Sequence, residues 1–337
     1  MQNILVYSTN EHKDFMDEWQ PHRNCNECWS FYGLLPDMQP GGSLYGFSLV
    51  IRHFQSRLDA FSEVLFAFSD ITRSTSWERH YLLPHVLRSR QKELIFDQDS
   101  FFCQEKIQLL LENNCLALRI QDEELSFDLC AEFSTPTQWS GDSGIRILPG
   151  PKLISTLQCG WTPFMKCFAK IQPAGRPMLR LEGHAAFERM WGCYPIYSAK
   201  THWEKFYFFM DDGTEMVLLD FPYAQSSKGF ILRPGQGIEE MQDYSLTALD
   251  SLEIEEWRFG SGWRLDMADK QPLYLIALQK DQFKLPIPRT VLGVYDQNSK
   301  QMGVCFCELM PGARNELSMI PFKTYYNYLQ QQEAEIL

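Results

Sequence analysis

Apolar positions along the chain fall into short runs rich in Phe, Tyr, Trp, Val and Ile, punctuated by Gly, Asp, Asn and Pro, and long stretches with a helical period are scarce. That pattern predicts a mainly β protein. Leu44-Tyr45-Gly46-Phe47-Ser48-Leu49-Val50-Ile51 and Glu63-Val64-Leu65-Phe66-Ala67-Phe68-Ser69-Asp70 read as strands. The clearest hairpin runs from Trp203 to Met210, turns at Asp211-Asp212-Gly213 and returns over Thr214 to Asp220, because Asp-Gly supplies the positive φ of a tight β-turn. Two segments carry helical character: Ser74 to Arg88, interrupted by Pro84 and containing His80 and His85 as surface or packing residues, and the polar tail from Phe322 to Leu337.

The halves of the chain resemble each other. Trp29-Ser30-Phe31-Tyr32, a turn with Asp37 and Gly42, and Leu44-Tyr45-Gly46-Phe47 parallel Trp203-Glu204-Lys205-Phe206-Tyr207, Asp211-Asp212-Gly213 and Met216-Val217-Leu218. Each is a strand, turn and strand with aromatics at its start, which suggests duplicated β domains. Leu148-Pro149-Gly150-Pro151 is the natural seam, dividing residues 1–150 from 151–337.

Composition narrows the partners. The 337 residues include 43 acidic and 31 basic side chains, a formal net charge of −12, and 45% are hydrophobic. Such a chain folds around a sizeable core and offers no general attraction for a phosphate backbone, so no nucleic acid is expected. No apolar run is long enough to cross a bilayer, and the opening Met1-Gln2-Asn3-Ile4-Leu5-Val6-Tyr7-Ser8 lacks the parts of a signal peptide. A soluble cytoplasmic protein is expected. The ten cysteines, several inside apolar runs such as Cys130, Cys305 and Cys307, read as reduced core thiols.

Several motifs are coincidental. Gly141-Asp142-Ser143-Gly144 matches the nucleophile segment of trypsin-like proteases in four letters, but Ile145 follows and no matching histidine motif lies upstream. Cys25, Cys28, Cys305 and Cys307 offer four thiols, with a Cys-x-Cys spacing awkward for structural zinc. No metal or cofactor is expected.

The informative stretch is Leu181 to Gly192, followed by His202-Trp203-Glu204-Lys205-Phe206-Tyr207. As a strand it points His184, Ala186 and Glu188 to one face and Ala185, Phe187 and Arg189 to the other. His184 and Glu188 then stand about 13 Å apart and could flank a ligand, with the small Ala186 between them. A carboxyl group walled by aromatics is a candidate proton donor. The alternative is a salt bridge from Glu188 to Arg189 or Lys205 at a barrel rim.

These residues carry a family resemblance. Gly183-x-x-x-Phe187-Glu188-Arg189-x-Trp191-Gly192, then Trp203 leading a strand to Asp211-Asp212-Gly213-Thr214-Glu215, resembles the central signature of the AttH and carotenoid 1,2-hydratase (hydroxyneurosporene synthase) superfamily, which includes kievitone hydratase-like proteins and lipocalin-type Diels-Alderases. Glu27-Cys28-Trp29-Ser30-Phe31-Tyr32-Gly33 with Tyr45-Gly46-Phe47, Phe68-Ser69-Asp70-Ile71, and Trp139-Ser140-Gly141-Asp142-x-Gly144 are similar to its other blocks, in order, over residues 20 to 285. Ala186 stands where the family often has an aromatic, Cys28 replaces the first of an aromatic pair, and Glu188 stands where hydratases of the group use Asp.

The resemblance implies two lipocalin-like (calycin) antiparallel β-barrels with short helices, and a hydrophobic ligand near or between them. It implies Glu188 and His184 as catalytic residues and Glu27, Trp29, Tyr32, Phe47, Trp191, Trp203 and Tyr207 as substrate-binding residues. Three functions follow: a cofactor-independent enzyme that protonates a C=C bond of a polyene, terpenoid or polyketide-type substrate, giving hydration or cyclisation; a pericyclase that acts by folding its substrate; and a non-catalytic carrier of a hydrophobic small molecule.

Overall fold

The computed structural model describes residue 21 and residues 26–313, except 56–59, 85–93, 97–99, 104–105, 113–114, 136, 140–144, 149–154, 194–202, 222–225, 242, 255–256, 269, 279–288 and 311. All regular structure among the described residues is β. The first sheet contains β1 (Asn26–Pro36), β2 (Leu44–Gln55), β3 (Ala60–Asp70), β4 (Thr75–Pro84), β5 (Leu94–Phe96), β6 (Ser100–Cys103), β7 (Ile107–Glu112), β8 (Cys115–Gln121), β9 (Leu125–Glu132), β10 (Gln138–Trp139), β11 (Ile145–Leu148), β12 (Ser155–Pro173) and β13 (Leu179–Cys193). The second contains β14 (Trp203–Met210), β15 (Glu215–Phe221), β16 (Ser226–Leu232), β17 (Ile238–Met241), β18 (Tyr244–Ile254), β19 (Trp257–Met267), β20 (Leu273–Ala277), β21 (Arg289–Tyr295), β22 (Gln301–Met310) and β23 (Gly312–Ala313).

The strand orders are β4-β3-β2-β1-β13-β12-β9-β8-β7-β6-β5 and β17-β16-β15-β14-β22-β21-β20-β19-β18. Each sheet begins as an antiparallel meander, and its first strand is then flanked by a late one: β13 pairs with β1, and β22 with β14. The similar hairpins at 29–47 and 203–218 therefore occupy equivalent places. The Leu148–Pro151 seam does not separate the sheets, because β12 and β13 return to pair with β9 and β1. The change of sheet falls between Cys193 and Trp203. Pro and Gly mark a hairpin connection as readily as a linker, so composition could not tell them apart.

Both sheets curl into barrels. β3 and β9 are five places apart in the first sheet, about 24 Å if it were flat. Phe66 and Phe127 nevertheless meet edge to face across the interior with ring centroids 5.3 Å apart, and Phe47 meets Phe127 at 5.6 Å. Arg79 on edge strand β4 forks onto Asp122 with two 3.0 Å bonds and reaches Glu124, beside the β8–β9 turn. This closes one end of the barrel through side chains instead of a backbone ladder. In the second sheet Trp263 of β19 packs on Phe206 of β14 at 5.1 Å, although three strands lie between them. Two glycines have clear steric roles: Gly213, at φ 82, makes the β14–β15 turn, and a Cβ on Gly183 would meet the Leu34 carbonyl oxygen at 1.9 Å.

Two expectations are corrected. Residues 75–84 form β4, not a helix, because Thr75 to Pro84 pair along the whole of Phe61 to Asp70; Pro84 is tolerated at the end of an edge strand. His85 and the expected C-terminal helix lie outside the described residues. Cys130 is not a reduced core thiol but is disulfide-bonded to Cys115. Ala117 faces Cys130 across β8–β9, which puts Cys115 two residues along on the same face, at a Cα separation of 6.1 Å that suits a disulfide. Cys28, Cys103, Cys159, Cys167, Cys305 and Cys307 are free and buried.

The barrels pack back to back. One apolar cluster combines Tyr32, Val50, Phe54 and Leu65 of the first sheet with Tyr207, Phe209, Val304 and Phe306 of the second. A latch forms at a bulge in β12, where the register shifts between Thr162 and Met165 and Phe164 adopts φ 55. Glu215 of β15 accepts the Phe164 backbone N–H at 3.0 Å. Burial pushes the Glu215 carboxyl up to about 8 from 4.5, against the smaller lowering effect of that hydrogen bond. The folded protein therefore holds this proton more tightly than the unfolded chain, so the contribution is fully present below pH 4.5 and is lost as pH rises through about 8. Urea denaturation across this range should show the wild type losing stability relative to Glu215→Gln as pH rises, by on the order of a few kcal/mol. Parallel pH profiles for the two proteins would refute this assignment.

Candidate functional site

Strand alternation sorts the expected site residues onto two faces. On β1, Glu27, Trp29 and Phe31 enter the first barrel, whereas Cys28, Ser30 and Tyr32 face the second sheet. On β13, Arg189 and Trp191 go inward while Ala186, Glu188 and Met190 face the second sheet. Trp29, Phe47 and Trp191 accordingly belong to the barrel core. Glu27 is there too, bonded by Arg189 Nε at 2.7 Å, with the guanidinium over the Trp29 and Trp191 rings at 5.2 Å each. These four expected substrate-binding residues stand behind the sheet that carries Glu188. Tyr32, Trp203 and Tyr207 stand in front of it. His184 shares the Glu188 face, but its side chain lies at a solvent-exposed position near Phe164. Burial and Lys166 lower its pKa.

Glu188 is 1% exposed and occupies the seam between the sheets. Lys205 Nζ lies 3.0 Å from its Oε2, Cys159 Sγ donates to Oε1 at 2.7 Å, and the Tyr207 hydroxyl donates to Oε2. Of the two ion-pair partners proposed from sequence, the structure selects Lys205 and sends Arg189 to Glu27. Trp161 lies directly opposite Glu188 on β12, and its ring stacks with Phe230 of the second sheet at 6.3 Å.

Lys205 is shared. Its ammonium also reaches Glu308 Oε2 at 3.2 Å and Ser30 Oγ at 2.9 Å, which accounts for all three of its hydrogens. Glu308 further receives Arg52 Nη2 at 2.5 Å, Ser30 Oγ at 3.2 Å and the Tyr32 hydroxyl. Two carboxylates and two cations thus balance in a layer that excludes water. Burial alone would raise the Glu308 carboxyl, but Lys205 and Arg52 outweigh it and hold the group well below the usual carboxylate range. Burial opposes the Lys205 charge, yet Glu188 and Glu308 keep its pKa well above the ordinary value. Burial first, and then the adjacent carboxylates, push Tyr207, Tyr32 and Cys159 upward. These three groups keep their protons at neutral pH and act as fixed donors.

Sequence reasoning missed Arg52, Glu308, Cys159 and Trp161. A signal was present for the two charges: Arg52 follows Leu49-Val50-Ile51, and Glu308 sits within Val304-Cys305-Phe306-Cys307-Glu308-Leu309. A charge inside a run apolar on both strand faces has to be paired where it is buried. The four thiols considered for zinc do not converge: Cys28 lies 3.8 Å from Glu308, Cys305 and Cys307 lie on the opposite face of β22 from Glu308, and Cys25 is outside the described residues. An open groove of about 330 Å³ lies farther along the outer face of β12 and β13, among Phe168, Lys170, Arg180 and Glu182. Among the described residues no helix is long and apolar enough to cross a membrane.

No family model matches the sequence, and no curated protein matches it. Comparison of folds gives a definite result. The crystal structure of a provisionally assigned AttH from Nitrosomonas europaea aligns with a TM-score of 0.70 over 89% of this chain and 97% of its own, at 14% identity. The chain has the AttH-like, lipocalin-like fold. Kievitone hydratase from Nectria haematococca shares this AttH-like fold, with a TM-score of 0.62, 10% identity, and coverage of 92% of this chain and 95% of its own.

Within this AttH-like fold, Lys205 joins the two barrels electrostatically. Lys205→Met leaves two buried carboxylates short of a cation, and the expected loss is about 3–5 kcal/mol in urea denaturation. Adding Glu188→Gln to that variant should recover part of the loss by removing one of the stranded charges. A Lys205→Met protein as stable as wild type would show that the shared ammonium does not hold the seam.

Proposed function

We propose that this chain is a cofactor-independent hydratase-type enzyme that acts on an apolar, unsaturated substrate at the seam between the barrels, with Glu188 as the acid. The observation that carries this reading is a fully buried carboxyl with three donors around it, one of them the Tyr207 hydroxyl, and with Trp161 directly opposite on β12. The fold shared with kievitone hydratase supports the reaction class.

Charge balance favours Glu188 over Glu308 for the role. Glu308 is clamped by both Arg52 and Lys205, whereas Glu188 has only a share of Lys205. A proton on Glu188 leaves Lys205 paired with Glu308. In the reaction, the alkene π pair takes the proton from the Glu188 carboxyl, forming a C–H bond as the O–H bond breaks. The resulting carboxylate is stabilised where Lys205, Tyr207 and Cys159 already point, and the substrate cation is attracted to the aromatic faces. Water then adds its oxygen to the cation and returns a proton to Glu188. An internal alkene or hydroxyl in place of water would give a cyclic product.

A panel of polyenes, terpenoids and prenylated aromatics, incubated with the purified protein in H2(18)O, tests this reading by mass spectrometry. The expected product carries one labelled oxygen and the mass of one added water, and Glu188→Gln lowers its rate by about 10²–10⁴-fold. A rate within a few-fold of wild type in that variant would refute the acid role and favour a pocket acting by orientation. Unchanged ligands throughout would favour a carrier.

A further inference from the structure

Past the bulge in β12 the outer face of the first sheet meets solvent, with Lys166, Phe168 and Lys170 exposed. The open groove of about 330 Å³ lies here, within the size range of small-molecule sites. Cys130, one half of the Cys115–Cys130 disulfide, lines it. Both of these cysteines are only partly buried, whereas the six free cysteines among the described residues are buried. The disulfide joins strands that already pair over Cys115 to Gln121 and Ser126 to Glu132, so opening it leaves the backbone ladder in place. Accessible disulfides are the labile ones, open to exchange with other thiols.

The charges around Cys130 define what the groove suits. In register, Phe168 stands between Cys130 and Glu182, and Lys170 stands between Asp128 and Arg180. Asp128 is offset by Arg119, 3.9 Å away. Among the described residues Lys170, Arg180 and Glu182 have no ion-pair partner. Like charges directly opposite on neighbouring strands repel each other, and an anion between Lys170 and Arg180 relieves that repulsion. Two cations and one carboxylate are therefore left to answer beside an accessible sulfur.

We propose that this groove is a thiol–disulfide exchange site that takes a small acidic thiol of the glutathione type, with two carboxylates and one ammonium. The carboxylates answer Lys170 and Arg180, and the ammonium answers Glu182. On the sheet, Lys170 lies about 8 Å and Arg180 about 12 Å from Cys130, from one and two strand spacings and two residues along. A three-residue thiol spans about 10 Å, and the long Lys and Arg side chains cover the remainder. The thiolate of the ligand attacks Cys130 Sγ, forming a new S–S bond as the bond to Cys115 breaks. The electron pair leaves on the Cys115 sulfur, which takes a proton from solvent. A second thiol then attacks the ligand sulfur of the mixed disulfide and releases Cys130. In sum, one protein disulfide is reduced to two thiols and two ligand thiols are oxidised to one disulfide; the ligand's disulfide drives the reverse. The site is independent of the chemistry at Glu188.

The test compares glutathione with glutathione diethyl ester, the same tripeptide with both carboxylates masked, at equal thiolate concentration on the full chain. Exchange is quenched by alkylation and followed by intact-mass and peptide mass spectrometry. Glutathione should open the Cys115–Cys130 bond about three- to tenfold faster than the ester, the discrimination expected of two exposed ion pairs, and added salt should shrink the difference. Lys170→Gln combined with Arg180→Gln, both at exposed positions, should bring the ratio towards one. In Cys115→Ser, glutathione disulfide should leave one glutathione on Cys130, since no neighbouring thiol remains to release it. Equal rates for the two thiols, a ratio that survives in the double variant, glutathione attached elsewhere than Cys130, or a Cys115–Cys130 pair that glutathione disulfide cannot oxidise would each overturn the site.

Discussion

The ammonium of Lys205, shared between Glu188 and Glu308, is the interaction on which the arrangement of the two barrels depends. Burying four charges carries a desolvation penalty that pairing offsets only when the geometry is good and the remaining lone pairs are satisfied. Ser30, Tyr32, Tyr207 and Cys159 supply these hydrogen bonds to Lys205 and the two carboxylates. An apolar seam alone would tolerate many sliding registers between two convex sheets. The ion pairs admit few, because Glu188 and Arg52 come from one sheet and Lys205 and Glu308 from the other.

The alternation of strand faces divides the aromatic wealth of the chain into two roles. Phe31, Phe47, Phe66 and Phe127 meet edge to face or tilted inside the first barrel, supplying packing across the curled sheet. Tyr32, Tyr207 and Phe306 meet outside it, where hydroxyl groups are also needed. The interior of the first barrel is filled by side chains, and the buried Lys205, Arg52, Glu188 and Glu308 lie on what would ordinarily be the solvent face of a lipocalin-like sheet. The packing of the second sheet makes this possible by covering the outer surface of the first.

The β architecture was legible because the short aromatic and β-branched runs leave little alternative. The parity of residues 182 to 190 correctly separated Glu188 from Arg189. Longer-range geometry was not legible. Trp29 and Tyr32 lie in one motif yet face opposite sides, and only the orientation of β1 decides which side meets Glu188. Glu308, about 120 residues from Glu188 in the chain, enters the seam through β22 pairing with β14, a contact that no local pattern encodes. The strand at 75–84 was misread because its own residues are ambiguous and the apolar β3 beside it settles the matter, a tertiary override of local propensity.

The strand order also has a temporal consequence. Glu188 and Glu308 both sit on late strands that pair with the first strand of their sheet. As the polypeptide leaves the ribosome, β1 emerges long before β13, and Arg52 has no carboxylate from Glu308 until nearly the whole chain has been made. Long-range pairing of this kind is slow to form. A nascent or prematurely terminated chain lacking β22 would then display the greasy back of one barrel with the Arg52 guanidinium lacking its Glu308 partner, a surface that chaperones and proteases are suited to detect.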